Sequence, residues 1–172
     1  QKAIKKWTTW RETDFWILFI SFASTIGCGL FLINNISSIV QSIGGEDKFS
    51  GTLVIVLSIS NVFGRILMGV LADQVNGPRP IVLFGALSLQ MSLALFISSV
   101  PSSRSIAQFT IVITVITALT AYGASWVLIV KILSDRFGAA TFGKDYGLIA
   151  LGPAVSGFVL NTLSASLYTK HA

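Results

Sequence analysis

The chain has 172 residues, 53% of them hydrophobic and 11% charged, with a mean hydropathy of +0.78. A soluble domain carries about 25% charged residues, so this composition excludes an ordinary water-soluble fold and leaves room for five or six membrane spans of about 20 apolar residues each. The net charge of +5 does not indicate nucleic acid, because Lys and Arg are scattered between apolar runs rather than gathered in a stripe.

Residues 1–13 form a basic segment in which Trp7 and Trp10 suit the membrane interface. Lys2, Lys5, Lys6 and Arg11 before an apolar run resemble a signal peptide. The run continues through Ile33, longer than a signal core of about 7 to 15 residues, so a membrane anchor is expected instead. Gln1 in place of Met leads to the expectation that the chain begins partway through a longer protein. Asp14 is expected to cap the first helix.

Apolar periodicity predicts five spans, at about 15–43, 51–73, 81–100, 106–131 and 145–168, within a partial transmembrane bundle over 14–172. Gly44-Gly45 ends the first, and the second leads through a tight turn at Asn76-Gly77-Pro78-Arg79-Pro80 into the third. Outside the spans, eight Lys and Arg fall on one side and three on the other. The positive-inside rule places the N-terminus and the second and fourth loops in the cytoplasm. The fold class expected is an all-α polytopic membrane bundle, with the lipid bilayer as a partner. Cys28 and His171 are single residues of their kinds. No disulfide, metal site, cofactor or catalytic group can be assembled from them, and no enzyme is expected.

Lipid is as apolar as leucine, so small and polar residues mark the packed faces of membrane helices. On the first helix Ser24, Gly27, Cys28, Phe31, Asn34, Asn35 and Ser38 make one such stripe at helical spacing. Asn34 and Asn35 either hydrogen-bond to other helices or line a solute cavity. The third helix is expected to be the most exposed to lipid. Thr110, Thr114, Thr117, Ala121 and Ser125 form a packing stripe on the fourth. The fifth carries Gly152-Pro153, a predicted kink, and Asn161, a further polar candidate.

Arg65 is the most telling residue. It lies inside the second apolar run, where a charge costs about 2.5 to 3.5 kcal/mol on insertion scales, so a function is its default explanation. Ser58, Asn61 and Arg65 share one face, and Ser60 with Gly64 forms a small-xxx-small pair that admits another backbone. Two readings stand: Arg65 snorkels to headgroups or pairs with a carboxylate elsewhere, or it is a permanent cation offering a bidentate site to an anion. Asp73 lies eight residues further on, about 12 Å along the axis, too far for a bond within one helix. Asp73, Asp135 and Asp145 are expected to be loop or capping charges.

The residues Gly69-Val70-Leu71-Ala72-Asp73, followed by Gly77 and Arg79, resemble the signature loop of the major facilitator superfamily, G-x-L-A-D-x-x-G-R-[RK]. Asn76 stands at the expected glycine place, and the loop glycine comes one residue later. Asp14-Phe15-Trp16, Ile33-Asn34-Asn35, Asn61 with Gly64-Arg65, and Phe137-Gly138 through Tyr146-Gly147 resemble its nodulin-like branch. Asn61, Arg65 and Gly69 also resemble a helix-eight pattern of monocarboxylate transporters, where an aspartate precedes the arginine by four. Asn61 does not titrate, so proton coupling is not available there.

The resemblance implies helices seven to eleven of a twelve-helix transporter that moves a small solute by alternating access. It also implies companions, either an N-terminal half or a partner chain, without which this chain is not expected to transport. The alternative is a non-transporting membrane module or an inactive truncated remnant.

Overall fold

The computed structural model describes residues 12–74, 79–98 and 103–171. They form five helices: α1 (Thr13–Ser42), α2 (Asp47–Gln74), α3 (Arg79–Ser98), α4 (Arg104–Phe137) and α5 (Phe142–His171). The expected all-α membrane bundle is borne out. Four of the helices, α1, α2, α4 and α5, are long and apolar enough to cross a membrane. The 20 residues of α3 rise about 30 Å, the thickness of a hydrocarbon core. The basic segment up to Arg11 and the loop residue Gly77 lie outside the described residues.

Local chemistry sets the helix ends. Gly44 adopts φ 72°, a left-handed conformation that glycine enters without steric cost. Its N–H reaches Gln41 O at 2.9 Å, and the Gly45 N–H reaches Val40 O at 2.8 Å. This pair of bonds is a Schellman motif, which satisfies carbonyls the helix would leave open. Gly138, at φ 89° and ψ 158°, ends α4 with a positive φ that likewise suits glycine. Asp14 does not cap α1. The N-cap is Glu12, without a side-chain cap bond, and Asp14 lies inside the first turn, where its carboxylate pairs with Arg136 at the end of α4. Phe15 and Phe137 pack edge to face beside that pair, at 6.2 Å.

The helices α1 and α4 are the centre of the bundle, each packed against all the others. Against this pair, α2 lies mainly on α4, α5 mainly on α1, and α3 on both. Phe22 of α1 meets Trp126 of α4 edge to face at 5.1 Å and Phe84 of α3 at 6.3 Å. Ile26, Val115, Leu119, Leu128 and Leu133 are fully enclosed around them.

Because α1 packs against all four other helices, small and polar residues mark only part of its buried surface. Its apolar face of Phe15, Leu18, Phe22, Ile26, Leu32, Ile36 and Val40 packs inward. The polar stripe divides: Gly27 and Asn35 meet α5, whereas Ser24, Asn34 and Ser38 are exposed.

Helix α3 has both exposed and packed positions, with Leu89 and Leu93 exposed. In its described middle, Phe84 and Met91 are buried, the Ser88 hydroxyl meets that of Thr25 at 2.7 Å, and Gln90 donates to Thr117 O at 3.0 Å. The long exposed apolar faces belong to α2 and α5, with Ile55, Ile59, Phe63 and Ile66 on one and Leu151, Val155 and Phe158 on the other.

Candidate functional site

Arg65 is exposed on α2, and its Nε donates to Asn61 Oδ1 at 3.3 Å. The direction of this bond matters. Asn61 lies one turn towards the N-terminus, as side chains lean in any α-helix. For α2 the nearer end is Gln74, about 14 Å beyond Arg65, so the bond draws the guanidinium away from the near interface and towards the middle of the helix. If α2 sits centred on a core of about 30 Å, Arg65 enters that core about 8 Å from its nearer face. Five N–H donors belong to a guanidinium. One is committed to Asn61, and among the described residues no carboxylate pairs with the other four.

The α4 backbone passes directly behind this pair. A Cβ placed on Gly64 would lie 2.1 Å from Thr120 O, and one placed on Gly123 would lie 2.1 Å from Asn61 O and 2.8 Å from Asn61 Oδ1. Ser60 is buried in the same seam. Gly64 of the small pair on α2 therefore lies against the α4 backbone at Thr120 while Gly123 of α4 lies against Asn61, and Gly123 is a residue that sequence reasoning passed over. Ala121-Tyr122-Gly123-Ala124 is small on several sides of the helix, so no periodicity singles it out.

The remaining asparagines are not part of that arrangement. Asn35 of α1 donates from Nδ2 to Asn161 Oδ1 of α5 at 2.9 Å and to Phe31 O at 2.9 Å, and Asn161 Nδ2 donates to Gly157 O at 2.7 Å. A cleft of about 430 Å³ runs beside them, lined by Phe31, Asn35, Ser38, Ser42 and Ser164. Asn35 lies seven residues before the end of α1 and Arg65 eighteen after the start of α2, so their depths differ by about 16 Å. Among the described residues no hydrogen bond joins the two pairs. Asn34, exposed on the adjacent face, belongs to neither.

Of the signature-like loop, Gly69 faces open space and Asp73 is exposed near the end of α2, while Arg79 is the first residue of α3. Helix α5 continues through Pro153 without interruption, and Gly152 admits α1: a Cβ there would lie 2.9 Å from that of Ala23. Asp135 pairs with Lys131 at 3.1 Å, and Asp145 is fully buried in the first turn of α5. Among the described residues no three His, Cys, Asp or Glu side chains gather around a possible metal position.

The polar groups thus sit on long apolar helices, with the Arg65 guanidinium lacking a carboxylate partner among the described residues, and the sequence is similar to those of several known proteins. An uncharacterized MFS-type transporter of Escherichia coli, YhjX, is 28% identical over 143 residues, 83% of this chain and 34% of its own length. The oxalate:formate antiporter of Oxalobacter formigenes is 28% identical over 164 residues, 93% of this chain and 37% of its own. This chain is a homologue of major-facilitator transporters. Protein nuclear fusion defective 4 of Arabidopsis thaliana is 26% identical over 164 residues, 92% of this chain and 27% of its own. The chain spans about a third of the length of these relatives. The resemblance to major-facilitator transporters drawn from Gly69 to Asp73 is borne out by them. No protein-family model matches the chain, and no solved structure does.

Proposed function

We propose that this chain forms part of a secondary-active transporter that moves a small organic anion by alternating access, with Arg65 as its fixed positive charge. The observation that carries the reading is the bond from Arg65 Nε to Asn61 Oδ1. It holds the guanidinium towards the middle of α2 and leaves both terminal nitrogens for a carboxylate, which a guanidinium binds through two parallel hydrogen bonds. A relative that is an oxalate:formate antiporter supports the choice of small carboxylates. The exposed faces of α2 and α5 are where further helices of the transporter would pack, and the excess of Lys and Arg supports a cytoplasmic N-terminal segment.

The test is uptake by cells expressing the complete reading frame, with oxalate, formate and a neutral solute of similar size as probes. Arg65→Gln should lower carboxylate uptake at least about tenfold, the order of a lost charge-assisted bond. Arg65→Lys should retain part of it, keeping the charge but not the fork. Carboxylate uptake unchanged in Arg65→Gln at normal surface level would remove Arg65 from the site.

A further inference from the structure

We infer that α4, through Gly123, is the buttress that sets Asn61 and thereby aims Arg65. The inference rests on the anion reading of Arg65 and assigns a positioning residue to it. Three distances form the chain of contacts. The Cβ that any other residue would add at position 123 falls 2.1 Å from the Asn61 carbonyl oxygen and 2.8 Å from Asn61 Oδ1, and that same Oδ1 accepts from Arg65 Nε at 3.3 Å.

A side chain at 123 would have to displace both ends of Asn61. The carbonyl moves only with the α2 backbone, and the carboxamide moves only by leaving the guanidinium. A Cβ added at Gly64 of α2 would in turn fall 2.1 Å from Thr120 O of α4, so the two backbones approach closely from both sides. Helix α2 is therefore held where Asn61 has one place to put its oxygen, and a long, flexible arginine acquires a direction. Neither Gly123 nor the α4 backbone touches the anion, and their effect passes through Asn61.

The experiment uses the full-length transporter reconstituted in liposomes with oxalate as probe, comparing Gly123→Ala, Asn61→Ala, their double variant and Arg65→Gln. Gly123→Ala and Asn61→Ala should each raise the oxalate KM about tenfold while the maximal rate per molecule stays within about twofold, because both leave Arg65 without its acceptor. The double variant should be no worse than either single one, as residues acting through one contact are not additive. Labelling of Arg65 by phenylglyoxal, followed by mass spectrometry, should change equally in all three and needs no transport.

An unchanged KM in Gly123→Ala, or a double variant showing the product of the two single effects, would overturn the inference. Unchanged oxalate uptake in Arg65→Gln would instead sink the anion reading itself. Should Gly123→Ala not reach the membrane, Asn61→Ala decides. A raised KM with altered labelling supports the buttress, and normal values for both leave nothing to be aimed and overturn it.

Discussion

Asn35 and Asn161 are 126 positions apart in the chain and share one hydrogen bond, Nδ2 to Oδ1 at 2.9 Å, which ties α1 to α5. Each also returns a bond to its own helix, Asn35 to Phe31 O and Asn161 to Gly157 O. The carboxamides thus satisfy backbone and partner together, which an apolar surrounding demands.

Removing one partner leaves the other wanting, whereas removing both does not. Asn161→Ala should therefore lower the stability of the detergent-solubilised full-length protein by about 0.6 to 1.7 kcal/mol, the range of interhelical hydrogen bonds in membranes. The double change Asn35→Leu with Asn161→Leu should cost less than the sum of the singles. Thermal unfolding curves would measure it. Additive losses would show that the two amides do not act as a pair.

The glycines divide by what stands opposite them. Gly64 faces the Thr120 carbonyl at 2.1 Å from a built Cβ, a backbone atom that cannot rotate away, while Gly69 faces open space. Gly64→Ala should destabilise by about 1 to 3 kcal/mol through overpacking. Gly69→Ala should be neutral or stabilise by up to about 1 kcal/mol through helix propensity. If Gly69→Ala nonetheless abolishes uptake by the full-length protein, the signature-like loop acts on groups beyond this bundle.

These contrasts explain what the sequence could and could not disclose. Long apolar runs broken by Gly44-Gly45 gave away the helices, because chain length across a bilayer and the chemistry of helix ends are local properties. The Ser60 and Gly64 spacing likewise pointed to a close backbone neighbour, since a small-residue period has few other uses in lipid.

What stayed hidden depends on the partner. Asp14 looked like a cap, and its ion pair with Arg136 spans 122 positions. Gly123 is one glycine among small neighbours, and its importance comes from Asn61 on another helix. Of the polar residues gathered as site candidates, Asn61 with Arg65 and Asn35 with Asn161 form two separate pairs, and Asn34 joins neither, because α2 lies mainly on α4 and α5 mainly on α1.

The Asp14 and Arg136 side chains are each about half exposed, at 44% and 54%. Such a pair is screened by solvent and is worth no more than about 1 kcal/mol. Asp14→Asn should lower stability by that amount at low salt and by less at 0.5 M NaCl, where the Debye length falls well below its value of about 8 Å at physiological ionic strength. The exchanged pair Asp14→Arg with Arg136→Asp should recover most of the loss. A salt-independent loss, or no recovery on exchange, would assign the effect to packing of Phe15 on Phe137 instead.

Pro153 lacks the N–H that would bond the carbonyl four residues earlier in α5, yet it is buried inside a helix that runs on to His171. Next to it, Gly152 seats α5 against Phe19 and Ala23 of α1, and Ser156 Oγ donates to Ala23 O at 2.6 Å. Gly152 and Ser156 thus make close contacts with α1 beside the proline, which is buried and removes one backbone bond from the helix. Pro153→Ala should raise the melting temperature of the full-length protein by restoring a backbone bond, whereas Gly152→Ala should lower it. If α5 bends during transport, Pro153→Ala should also slow the maximal rate of oxalate uptake and leave KM unchanged. An unaltered rate alongside higher stability would show that the proline plays no part in the transport cycle.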